Sequence, residues 1–234
     1  MAKGQLTAEQ KKLDADIGII AGITLGVFLL YCLSGRQLRS FVLGGGASLP
    51  LRLLASAGMQ FGLAGLGITV VCILRREPFS SFGLQKAHTI RAIAGTALCF
   101  LPYLGYLAVS GQFDGWQPFD LLVADQVFDS GNPWMVLLGM GLVILVWGFF
   151  EGFNYAVIAE KINRRYPSPR FWLDYGALIC ALVCLLLHPL QFSLWGALEI
   201  ITTFLGIYGM LLVRKRTGNA WGCVFAFCCI WNAF

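Results

Sequence analysis

Seven apolar runs, separated by short polar or basic stretches, limit what this chain can fold into. They lie at roughly 17–34, 53–74, 90–110, 134–158, 171–190, 193–213 and 219–234. A helix needs roughly 20 apolar residues to cross the hydrocarbon of a bilayer, and most of these runs are that long. Only 12% of the 234 residues are charged and 58% are hydrophobic, where a soluble domain carries about 25% charged residues. The expected fold is therefore an all-α, polytopic transmembrane helix bundle of about seven spans. One compact membrane domain is expected, with N-terminal helices and loops over 1–133 and a core over 134–234.

Local signals refine this. The stretch FDLLVADQVF (119–128) is too short to span and is expected at the interface. Lys3, Lys11 and Lys12 before Ile17–Leu33 resemble a signal sequence. That run is long and no small-residue cleavage pattern follows, so an uncleaved first span is expected. Arg75, Arg76, Lys86 and Arg91 fall in one loop, Lys161, Arg164, Arg165 and Arg170 in another, and Arg214, Lys215 and Arg216 in a third. The loop 111–133 has no Lys or Arg and holds Asp114, Asp120, Asp125 and Asp129. Basic loops stay cytoplasmic, which places the N-terminus inside, in a bacterial cell membrane by expectation. Arg36, Arg39 and Arg52 then fall outside, in a 35–52 loop expected to fold back at the surface. The net charge of +5 has this topological reading and does not point to nucleic acid; the expected partners are membrane lipids.

Glycines spaced by four (Gly18, Gly22, Gly26; Gly58, Gly62; Gly148, Gly152) let helix backbones approach closely and mark expected contacts. The eight cysteines lie mostly in apolar runs without a CxxC pair, as small hydrophobes do. No repeat or phosphate-binding loop is present.

Ionisable residues inside a span are functional hypotheses by default. Here they are Glu151, His188 and Glu199, with Asp174 near a helix start. Glu151 shares its face with Asn154 and Tyr155, at i+3 and i+4. Cys180, Cys184 and His188 form one stripe, and Cys and His are zinc ligands, but two turns is a long reach for one ion. Glu199 lies across a short turn from His188 and is an alternative partner for it. Cys228 and Asn232 stand one turn apart in the last run. The expected pocket collects Asn154, Tyr155, Cys184, Glu199, Cys228 and Asn232 around Glu151 and His188.

The order of features over 145–234 resembles the CPBP family, the CAAX-protease and bacteriocin-processing membrane proteins also called the Abi family. Its members show EExxxRG with a basic helix end, then FxxxH, then a segment like RTGSLW leading into HxxxN. In this chain FEGFNYA (150–156) precedes INRRYP, CLLLH (184–188) ends in His188, and RTGNAW (216–221) is close to RTGSLW. REPFSSFGLQ before the third run is similar to the family's pre-core loop.

The resemblance implies a four-helix core in the C-terminal half and, in active members, an intramembrane endopeptidase. There a glutamate and histidines activate water, and zinc is the implied metal if the site works. The motif is altered here. With Glu151 as the second glutamate, Phe150 takes the place of the first and Tyr155 that of the arginine. Spacing from Trp221 puts Phe227 where the last histidine would be. With a rise of ~1.5 Å per residue, Glu151 lies about 10 Å and His188 about 25 Å from the cytoplasmic side, so they meet only if the helices tilt. The first expectation is a catalytically degenerate protein that binds peptide or membrane-protein partners through the old cleft. The alternative is a working protease using Glu151 and His188; a small transporter has weaker support.

Overall fold

The structure, a computed structural model, describes residues 6–118, 123–187, 191 and 193–234. Among these residues the chain is all helical, without a strand. Of the stretch 119–128, expected at the interface, 119–122 lie outside the described residues and the short helix α5 occupies Ala124–Asp129. Ten α-helices are described. They are α1 (Ala8–Leu43), α2 (Leu49–Ala64), α3 (Leu66–Arg75), α4 (Thr89–Ser110), α5, α6 (Pro133–Leu142), α7 (Glu151–Arg165), α8 (Tyr175–Leu187), α9 (Leu194–Thr217) and α10 (Trp221–Ala226). A π-helical turn, Val143–Phe150, fuses α6 to α7, and another, Phe227–Trp231, extends α10.

Among the described residues each apolar run contributes helix. Four helices are long and apolar enough to cross a membrane: Ala8–Leu43, Thr89–Ser110, Pro133–Arg165 and Leu194–Thr217. A fifth is counted if α2 and α3, bent by 59° at Gly65, act as one. The expected spans at 171–190 and 219–234 are shorter helices, Tyr175–Leu186 and Trp221–Trp231.

Helix ends follow local chemistry. Thr7 caps α1 in a capping box with Gln10, which satisfies two otherwise free end groups. Ser193 caps α9 by accepting from the Gly196 amide. The chain stops α9 at Gly218, in the left-handed conformation, after Arg214, Lys215 and Arg216, cations that favour the negative end of the helix dipole. The loop expected at 35–52 is a correction: α1 runs on through Arg36 and Arg39 to Leu43. Arg52 folds inward instead, donating to the Val42 carbonyl.

The core is built from α3, α4 and α7 to α10, around Phe100, Phe153, Ile207, Met210 and Phe227. α4 lies along α9, and α8 bridges α7 and α9. α1 stands apart. Of its 36 residues only Leu13, Asp16, Ile20 and Val42 are buried, as suits a helix bathed in lipid. Its first turns are fastened by charge. Glu9 accepts from Arg164, Asp14 from Arg165, and buried Asp16 from both Arg75 and Lys161.

Three of the expected glycines make close contacts. A Cβ on Gly148 would fall 2.0 Å from the Cys228 sulfur, and one on Gly152 would fall 2.4 Å from the Cys223 carbonyl. The α10 strip therefore packs directly on the α7 backbone, and that closeness needs glycine. Gly62 likewise meets Val27. Gly18, Gly22, Gly26 and Gly58 face open space, so those spacings are not helix contacts.

Candidate functional site

A cleft of about 940 Å³ runs between α1 and α2 on one side and the α6–α7 helix, α8 and the C-terminal segment on the other. Trp147, Glu151, Asn154, Tyr155 and Ile158 line it from one stripe of the long helix. α1 contributes Thr24, Phe28 and Tyr31, and α2 contributes Met59 and Gln60. Exposed Arg39 and Asp114 line it as well. The pairing of Gly62 with Val27 sets Gln60 near the level of Phe28. At ~1.5 Å per residue, Arg39 then lies about 15 Å further along α1.

Glu151 is partly buried in this cleft. Its Oε2 accepts from the Gln60 amide at 2.9 Å and from the Asn232 amide at 3.4 Å. Asn232 Nδ2 is also 3.1 Å from the Trp147 carbonyl and 3.2 Å from that of Phe227. None of the ion pairs among the described residues includes Glu151. The two π-helical turns lead directly into Glu151 and Asn232 and pack on each other. Such turns are rare and recur at functional sites. They re-aim the helix so that both polar side chains reach the same point.

The expected pocket is only partly assembled. Glu151, Asn154, Tyr155 and Asn232 line the cleft together. Cys184 lies behind it, buried. Glu199 turns to the other side of the bundle, where Tyr106 donates to it at 3.4 Å. Cys228 is wedged against Gly148, 3.9 Å from the Ile144 carbonyl. His188 lies outside the described residues, and with it the expected Glu151–His188 and Glu199–His188 pairings and the zinc stripe. Cys180 and Cys184, the other members of that stripe, are both buried, and the Cys180 thiol donates to the Tyr155 carbonyl at 3.7 Å. Among the described residues no group of three or more His, Cys, Asp or Glu could hold a metal ion. Gln60 is the residue the sequence reading missed. Its signal was a carboxamide within the run 53–74, whose other polar side chains are the hydroxyls of Ser56 and Thr69.

The positions at which the motif departs from the resemblance are filled by aromatic packing. Phe150 sits against Phe61, Phe79 and Phe149, with ring centroids 4.8, 6.2 and 5.3 Å away. Tyr155 stacks on Phe227 at 5.2 Å. The segments FSSFGLQ and RTGNAW, far apart in sequence, are knitted together. Ala220 donates to the Gly83 carbonyl at 2.8 Å and Gln85 to the Gly218 carbonyl at 2.7 Å. Gly83 has φ +97°, and a Cβ there would lie 2.8 Å from the Gly218 carbonyl, so both the conformation and the space call for glycine.

No family model, curated protein or solved structure matches the chain.

Proposed function

We propose that this is a multi-pass bacterial membrane protein on a CPBP-like plan that holds a ligand in the Glu151 cleft and does not hydrolyse one. In this reading 134–234 is the core, the seven apolar regions span or partly enter the bilayer, and the N-terminus is cytoplasmic. One observation carries it: the stacked pair Tyr155–Phe227. Those are the positions at which the resemblance calls for an arginine and a histidine, and Phe150 in its aromatic cluster is where a second glutamate would stand. Hydrolysis needs a base, a water and an oxyanion stabiliser in one constellation. Glu151 instead has two carboxamide partners. The cleft that remains suits a peptide or membrane-protein partner. Transport has less behind it: among the described residues one bent helix pair occurs, where repeat-built transporters use broken helices in both halves.

The test is incubation of the purified protein with prenylated and unprenylated model peptides, read by mass spectrometry. The expected result is no cleavage above a protein-free control. Robust cleavage abolished by Glu151→Ala, with His188→Ala alongside, would overturn this reading in favour of an altered protease.

A further inference from the structure

We infer that the Glu151 cleft takes a hydrophobic organic cation, its positive charge on the Glu151 carboxylate and its body among the aromatic walls. The inference rests on reading this cleft as a binding site, and names its ligand chemistry. A carboxylate at membrane depth is costly unless paired. The described protein groups bonded to Glu151 are amides, and an organic cation would supply a counter-charge. Among the described residues three charged side chains line the cleft: Glu151, Asp114 and Arg39. The single cation stands about 15 Å from the level of Gln60, by the helix rise. The described lining is thus acidic on balance around Glu151.

The walls fit the same ligand. Trp147 and Tyr155 stand one turn to either side of Glu151 in sequence, and Phe28 and Tyr31 face them from α1. A cation over such rings gains attraction that grows as water is removed. An anion there would meet Glu151 and the negative ring faces together. The volume of about 940 Å³ falls within the 300–1,000 Å³ of pockets that enclose drug-sized ligands. A body of several rings or a branched apolar chain would fit.

The test uses the full chain in nanodiscs of neutral phospholipid, with tetraphenylphosphonium as probe and equilibrium dialysis as readout. Tetraphenylborate, of the same shape and opposite charge, reports simple partition into lipid. The expected result is one saturable phosphonium site per chain, at least tenfold weaker in Glu151→Gln and unchanged in Glu9→Gln, whose exposed pair with Arg164 lies far from the cleft. Ile179→Trp, which fills the cleft from α8 without touching the carboxylate, is expected to weaken binding as well and gives a second reading should Glu151→Gln not fold. No saturable site, equal affinity in Glu151→Gln, or saturable borate binding with the same Glu151 dependence would overturn the inference. Peptide cleavage together with phosphonium binding would overturn the non-hydrolytic reading and leave this one standing. Neither cleavage nor binding would overturn this one alone.

Discussion

Lys161→Met is expected to destabilise the protein by about 3–5 kcal/mol, the usual cost of removing one partner from a buried ion pair. Lys161 is fully buried on α7. Its ammonium donates to Asp16 on α1 at 2.8 Å and to Glu77, just past α3, at 2.5 Å. Asp16 is itself fully buried and has a second cation, Arg75, at 2.6 Å. Without Lys161 two carboxylates share the remaining cations, Arg75 and the more distant Lys12, 3.7 Å from Glu77. α1 would loosen first, because so little of the rest of it is buried. For a chain of this size the loss corresponds to a melting temperature lower by about 10 °C, read by thermal unfolding in detergent. The double variant Asp16→Asn with Lys161→Met is expected to lose less than the sum of the two single changes. Additive losses would show that the pair is not coupled.

Asn219→Ala is expected to cost about 2–3 kcal/mol, on the scale of unsatisfied buried polar groups. Asn219 is fully buried. Its amide nitrogen lies 2.7 Å from the Gln85 carbonyl, 2.8 Å from that of Ala87 and 3.0 Å from the Thr89 hydroxyl. Its oxygen accepts from the Trp221 amide at 2.8 Å and so starts α10. Alanine removes all of these at once. Asn219→Asp keeps the contact to Trp221 but turns a carboxylate toward the Gln85 and Ala87 carbonyls, and is expected to be the worse of the two. Thermal unfolding of both variants checks this, and an aspartate variant as stable as wild type would contradict it.

The apolar runs located the helices well because burial in lipid leaves a plain compositional trace. The run 90–110 became Thr89–Ser110 almost unchanged. Helix length was harder to read. α1 continues past its apolar stretch into Lys11–Asp16 and Arg36–Leu43, since charged residues are good helix formers and end a span without ending a helix. The bend at Gly65 was hidden in a continuous apolar run. At the site, Glu151, Asn154, Tyr155 and Asn232 were legible as polar or amphipathic residues in apolar surroundings. Gln60 was not singled out, because its partner lies 91 positions away and spacing carries no trace of a contact between helices. Glu199 and Cys228 had the right composition and the wrong facing. Which side of the bundle a residue meets depends on tilt, and on π-helical turns that shift the face seen by everything after them.

The cation site stands on one arrangement, Glu151 held between α2 and the C-terminal segment, and the binding cleft of the non-hydrolytic reading needs it too. Cross-linking tests it most directly. In a background with the eight native cysteines replaced, Gln60→Cys with Glu151→Cys is treated with a short bis-maleimide, after a protease site is placed in the loop after α4. The expected result is a covalent link that keeps the two fragments together after cleavage, while Gln60→Cys with Glu199→Cys falls apart. Fragments that separate at 60–151 and stay joined at 60–199 would contradict the cleft as described.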